Sequence, residues 1–372
     1  MKNKNKVMLA SHAIAEAARL CEPQVIAGYP ITPQTLIIEE LAKFFADGKF
    51  KVRCEFVNVE SEHSAISACI GAQATGVRTF TATSSQGLAL MHEMLFITSG
   101  MRLPIVMVVA NRALSAPINI WGDHSDAMAQ RDSGWIQLYC ENAQEAHDTV
   151  VQAYKIAENE KVMLPVMVCI DGFTLSHVSE PVELLKESGV KKFLPAYEPL
   201  YKLDVKKPMT FGSIAYPNTY TKFKEQQREA MESAFDVIRK TNTEFSQKFG
   251  RKYGDGLIET YNLDNADHVI IAIGSQCSTI KHTLNELGNK KIGLIRIKSF
   301  RPFPSHEIKN SCKNVKRIDV IDRAMSLGNR APLYLEVVSA INNPKIKINS
   351  HVLGLGGEDI TPEKIKTICG GF

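Results

Sequence analysis

Short runs of consecutive apolar and β-branched residues recur through the first half of the chain as "VIAGYP", "RTFTATS", "LPIVMVVA" and "LPVMVCI". Between them lie "SEHSAISACIGAQATG" and "NAQEAHDTVVQAYKIAENE", whose apolar positions return at helical spacing. Strands apolar on both faces and separated by helices predict an α/β fold built on a doubly wound parallel sheet. From residue 268 a second βα series follows, "HVIIAIGS", "KIGLIRIKSF", "VKRIDVIDRA" and "KINSHVLGLGG", which predicts a smaller α/β domain. The stretch between the two carries Pro195, Pro199, Pro208 and Pro217, with Pro181 at its border, and keeps no period, as expected of a linker or arm. A charged helical pattern, "YTKFKEQQREAMESAFDVIRKTNTEFSQKFG", then runs to Gly250, where a glycine cap is expected. The predicted organisation is a first domain over 1–184, a linker arm and helix over 185–256, and a second domain over 257–372.

Composition narrows the function classes. An apolar content of 44% is ordinary for a globular protein, and 44 basic against 40 acidic residues, a net charge of +4, gives no reason to expect nucleic acid or a membrane surface as partner. The basic N-terminus turns mildly apolar, but Glu16 and Arg19 interrupt it before a secretory core is complete. No run approaches the roughly 20 apolar residues of a membrane span, so a cytoplasmic location is expected. The eight cysteines are scattered, the closest pair fifteen positions apart, without the spacing of a zinc site or a cluster. Any iron–sulfur centres serving this protein are therefore expected on other polypeptides.

Open α/β sheets bind ligands at the carboxyl ends of their strands, and four segments there carry candidate chemistry. In "GYPITPQT", Pro30 and Pro33 restrict the backbone around Thr32, whose hydroxyl suits an oxyanion at a helix start; a helix-capping threonine is the simpler alternative. "VESEHSAI" places Glu60 and Glu62 at a helix start, where carboxylates also complement the helix dipole, and His63 lacks the spacing of a metal ligand. "TATSSQGLALMHEM" ends a strand in small hydroxyl residues that include Ser84, either to admit a ligand or to make a tight turn. Arg112 directly follows a buried strand, where a guanidinium suits a substrate carboxylate. The polar loop behind it holds Trp121, Asp123, His124, Asp126, Arg131 and Asp132, as a binding loop or as a hydrogen-bonded network. "GDG" at Gly254–Gly256 reads as a turn, and "GLGGED" near the C-terminus lacks the pattern of a dinucleotide site.

Taken together, "YPITPQT", "ESEHSAI", "TATSSQGLALM", "NRALSAP", "WGDHSD" and "QRDSGW" resemble the α subunit of the pyruvate:ferredoxin oxidoreductase (pyruvate synthase) family, and "FGRKYG", "VIIAIGS" and "GLGGEDIT" extend the likeness over nearly the whole chain. The resemblance implies a thiamine diphosphate pyrimidine-binding-type domain followed by a transketolase C-terminal-like domain. It implies that the cofactor is shared with a β subunit that holds its diphosphate and Mg2+, which accounts for the missing diphosphate motif. It also implies γ and δ subunits beside the β subunit, iron–sulfur clusters in partner subunits only, ferredoxin as electron acceptor, and pyruvate and coenzyme A as substrates. By position, Glu62 is the carboxylate expected on the pyrimidine nitrogen, with Pro30 and Ser84 beside the cofactor, and Thr32 and Arg112 are expected to bind the 2-oxoacid carboxylate. Where the family pattern has Gly-Asn ahead of "AIAEAA", this chain has Ser11-His12. A branched-chain acid such as 2-oxoisovalerate is the alternative substrate. A non-catalytic assembly subunit is the alternative class, against which the joint presence of Thr32, Glu62 and Arg112 argues.

Overall fold

The computed structural model describes residues 5–370. Its largest layer is a seven-stranded sheet in the order Ser299–Arg301, Ile136–Tyr139, Val166–Asp171, Val106–Asn111, Thr79–Thr83, Val25–Gly28, Glu55–Asn58. Neighbouring strands are parallel except at the edge, where Ser299–Arg301 runs antiparallel to Ile136–Tyr139. Successive residues of a strand point to opposite faces. Thus Val106 and Val108 join a core with the helices Ala10–Leu20 and Ala143–Ala157, while Met107 and Val109 join the opposite core with Ile66, Leu88 and Leu95. Burial on both faces is why these strands read as unbroken apolar runs.

Strand order fixes where a ligand can enter. From Val25–Gly28 the chain moves outward to Glu55–Asn58, then returns to Thr79–Thr83 on the other side. That reversal opens a crevice at the carboxyl ends of Val25–Gly28 and Thr79–Thr83, the position at which open sheets take ligands.

The second sheet has five strands, ordered Lys347–Val352, Arg317–Asp322, His268–Ile273, Ile292–Ile297, Ile258–Tyr261, with only the last pair antiparallel. The apolar run "KIGLIRIKSF" divides between the two sheets: Ile292–Ile297 lies inside the second, and Ser299–Arg301 crosses back to the edge of the first. Buried charges reinforce the junction. Arg296 donates to Glu145 at 2.7 and 3.0 Å, and Lys298 donates to the same carboxylate at 2.6 Å. Burial alone would raise the pKa of Glu145, but these two cations outweigh it and hold the group at about 2.

The linking helix Pro217–Phe249 has proline in its first turn and ends at Gly250, as the pattern predicts. Ala230, Ala234, Val237, Ile238, Thr241 and Phe245 form its buried stripe at helical spacing, next to Ala143–Ala157.

Candidate active site

The turn after Val25–Gly28 is held from inside. Gln34, fully buried, donates through Nε2 to the carbonyls of Ala82 at 2.6 Å and Tyr29 at 3.2 Å, pinning the turn to the strand Thr79–Thr83. The following helix begins at Thr35 with Gln34 as its cap residue and without a side-chain cap. Thr32 is thus not the helix cap, and its side chain, like that of Pro30, is exposed at the crevice rim.

Glu62 is the first residue of the helix Glu62–Ala74, whose capping side chain is Ser61, accepting from the Ser64 amide. The Glu62 side chain is buried to 7% exposure, yet its carboxylate has no hydrogen-bond or ion-pair partner among the described residues. Glu60 differs. It is exposed and accepts from the Ser64 hydroxyl at 2.6 Å, a bond that lowers its pKa. The Glu62 carboxylate lies over Gly87, where a Cβ would fall 2.6 Å from Oε1 of Glu62 and 2.5 Å from Oγ1 of Thr83. Only a residue without a side chain leaves the carboxylate where it is. Gly87→Ala is therefore expected to displace Glu62 and cut turnover roughly tenfold to a hundredfold while the fold persists, as read by steady-state rates beside thermal melts of the same preparation.

Ser84 is fully buried and its hydroxyl donates to the Ala110 carbonyl at 2.7 Å, so it braces two neighbouring strands. The next residue, Ser85, has a left-handed backbone (φ 47°), donating its amide to Asp126 at 2.9 Å and its hydroxyl to Ala113 O at 2.5 Å.

Arg112 leaves the end of Val106–Asn111. Its Nε donates to the Asn119 carbonyl and its Nη1 to the Thr32 carbonyl, both at 2.9 Å. The fold thus joins Thr32 and Arg112, which lie eighty positions apart. Among the described residues no carboxylate forms an ion pair with Arg112, and burial lowers its pKa. A guanidinium held by carbonyls, with the Asp126 charge nearby but no carboxylate paired to it among the described residues, is suited to an incoming anion.

Asp126 organises this edge. Its carboxylate accepts from Asn111 Nδ2 at 2.8 Å and from the amides of Ser85, Arg112 and Ala127 at 2.7 to 3.0 Å. Burial pushes its pKa up to about 6, against the pull of those donors. The folded chain consequently binds a proton there more readily than the unfolded chain. This contribution to stability is fully present below about pH 4, the ordinary aspartate range, and is lost as pH rises through about 6. Asp126→Asn is expected to flatten the fall of stability between those limits, measured as denaturant midpoints across that range; an unchanged slope would contradict it.

The rest of the polar loop forms a network, one of the two readings its sequence allowed. His124 pairs with Asp171 at 2.5 Å, and Asp171 also accepts from the Ser275 amide at 2.8 Å and Arg323 at 2.9 Å, tying the end of the first sheet to the second domain. Burial would raise the pKa of Asp171, but Arg323 and His124 hold it far below the carboxylate range. Gln34 and Asn119 are the structural participants that sequence reasoning did not single out, whereas the glycine of "TATSSQGLALMHEM", Gly87, is read there as allowing close approach. Ser11 lies in the first turn of Ala10–Leu20, buried, donating to the Ser176 carbonyl at 2.8 Å.

A family model described as pyruvate flavodoxin/ferredoxin oxidoreductase, thiamine diphosphate-binding, matches residues 16–243. The chain belongs to this family. A second model, pyruvate:ferredoxin oxidoreductase core domain II, matches residues 266–365. The chain is 56% identical to pyruvate synthase subunit PorA of Methanocaldococcus jannaschii, over 98% of this chain and 93% of that protein. It is 44% identical to ketoisovalerate oxidoreductase subunit VorA of Pyrococcus horikoshii, over 98% and 92%. A solved 2-oxoglutarate:ferredoxin oxidoreductase from Magnetococcus marinus has the same fold, with a TM-score of 0.76 at 19% identity; the match covers 99% of this chain and 65% of that one. Among the described residues no helix is long and apolar enough to cross a membrane, and no group of three or more His, Cys, Asp or Glu residues is placed to hold a metal ion.

Proposed function

We propose that this chain is the α subunit of a thiamine diphosphate-dependent pyruvate:ferredoxin oxidoreductase, converting pyruvate and coenzyme A reversibly to acetyl-CoA and carbon dioxide, with two electrons passing to ferredoxin. The observation that carries the reading is the buried Glu62 side chain, whose carboxylate has no partner among the described residues. The residues present fit the aminopyrimidine half of thiamine diphosphate: a carboxylate over a glycine, without a partner among the described residues, and an exposed Tyr29-Pro30 turn after the neighbouring strand. Among the described residues nothing comparable fits its diphosphate, which belongs with Mg2+ on a β subunit. When bound, the cofactor supplies a nucleophilic carbon and the electron sink that decarboxylation requires.

The chain's own residues supply proton handling and orientation. Glu62 holds a proton against the pyrimidine nitrogen. Arg112 and the Thr32 hydroxyl grip the 2-oxoacid carboxylate and present its carbonyl carbon in one orientation. Pro30 and the turn braced by Ser84 shape the wall beside the ring. Iron–sulfur clusters on partner subunits carry the electrons away, and the complex works in the cytoplasm, where free thiols stay reduced.

The second reading, a branched-chain acid as substrate, is favoured by the relative named for ketoisovalerate. The test is an anaerobic capture of the native complex through a tag on this chain, with dye reduction followed for pyruvate and for 2-oxoisovalerate in the presence of coenzyme A. Faster turnover with pyruvate supports the first reading. Preference for the branched acid keeps the mechanism and changes the substrate, while inactivity with both in a cofactor-loaded complex removes the proposal.

A further inference from the structure

The Gly354-Leu355-Gly356-Gly357 turn, set aside as a dinucleotide motif, is seated against the loop behind Arg112. The Gly356 carbonyl accepts from Asn119 Nδ2 at 3.0 Å, the Gly356 amide donates to Asp123 Oδ2 at 3.1 Å, and the Gly357 amide donates to the Gly122 carbonyl at 2.9 Å. The approach is close enough to need glycine. At Gly356 (φ 55°) a Cβ would lie 2.4 Å from Asn119 Nδ2, and at Gly357 (φ 84°) 2.4 Å from the Cβ of Trp121.

Asn119 is the link in this contact. Its Oδ1 accepts from the Trp121 amide at 2.7 Å, which sets the local turn, and its Nδ2 reaches the second domain. Its main-chain carbonyl receives Nε of Arg112 at 2.9 Å, while Nη1 on the same guanidinium donates to Thr32. A guanidinium is planar, so pinning two of its nitrogens fixes the direction of the third.

We infer that Asn119 is a positioning residue for the 2-oxoacid site and that the glycine turn of the second domain is the template that sets it. Substrate binding in the first domain then depends on the docking of the second. The inference rests on the reading of Arg112 as the group that binds the substrate carboxylate.

The experiment uses the assembled complex carrying Asn119→Asp or Gly356→Ala, with Arg112→Ala alongside. Asn119→Asp is isosteric: it keeps the acceptor for the Trp121 amide and replaces the donor to Gly356 with an oxygen. Both single variants are expected to raise KM for pyruvate about tenfold, the size of one well-placed hydrogen bond. KM for coenzyme A and the content of thiamine diphosphate should stay within twofold of the unmodified complex. Should Gly356→Ala fail to assemble, the isosteric variant decides alone. An unchanged KM for pyruvate in Asn119→Asp, or a fall in kcat with both KM values unmoved, overturns the inference when Arg112→Ala does raise KM for pyruvate. If Arg112→Ala leaves that KM unchanged, the underlying reading of the site is what fails.

Discussion

Replacing Glu62 by Gln is expected to lower turnover by roughly a hundredfold to ten-thousandfold, the range that a positioned proton-transfer group supplies. The side chain keeps its size, so its fit over Gly87 and beside Thr83 is retained. The amide, however, cannot give up and recover a proton at the pyrimidine nitrogen. Because the native carboxylate has no internal partner to lose, the substitution strands no other buried group. Melting temperature and cofactor content should therefore stay close to those of the unmodified complex while the rate collapses. Turnover within threefold of normal, in a complex with full cofactor content, would return Glu62 to a helix-start carboxylate and revive the assembly-subunit reading.

Arg112→Ala is expected to reduce kcat/KM for the 2-oxoacid by about a thousandfold, within the range for removing one partner of a desolvated charge pair. The guanidinium donates to the carbonyls of Asn119 and Thr32 and, among the described residues, forms no ion pair with a carboxylate, so the loss falls mainly on the bound substrate. Arg112→Lys should recover only part of the effect, since an ammonium cannot keep both carbonyl contacts and still meet a carboxylate in the plane. Rates measured at several coenzyme A concentrations separate this defect from a general loss. An equal effect on KM for coenzyme A would contradict a carboxylate-binding role.

Much of this architecture is legible in the sequence because the central strands are buried on both faces. "LPIVMVVA" and "LPVMVCI" have no solvent side to dilute their apolar runs, and they became the strands Val106–Asn111 and Val166–Asp171. Lys6–Leu9, Glu55–Asn58, Ile136–Tyr139, Ser179–Val182, Ile258–Tyr261 and Ser299–Arg301 went unseen because three or four residues are too few to display a period. Ser299–Arg301 is the hardest case. Its partner is Ile136–Tyr139, far away in the chain, and nothing local distinguishes it from the strand it follows.

The site was legible to a different degree. Thr32, Glu62 and Arg112 follow strands closely enough to stand out as candidates, but Thr32 and Glu62 read alone also suit a helix cap and a helix-dipole carboxylate, and their roles come from the family resemblance. The supports are invisible in that way: Gln34 reaching Ala82, Asp126 gathering Ser85 and Arg112, and Asn119 meeting Gly356 are contacts between distant segments. Ser84, for which the sequence allowed either a place beside a ligand or a tight turn, donates to the neighbouring strand, a contact that strand-end position does not reveal.

The measurement closest to the central claim is the rate at which the thiazolium C2 proton of thiamine diphosphate bound to the assembled complex exchanges with deuterium, followed by rapid acid quench and NMR. In the unmodified complex, exchange should be at least as fast as turnover, and Glu62→Gln should slow it by roughly a hundredfold or more with cofactor stoichiometry unchanged. Equal exchange rates in the two complexes would contradict the assignment of Glu62 as the proton-holding group on the cofactor ring.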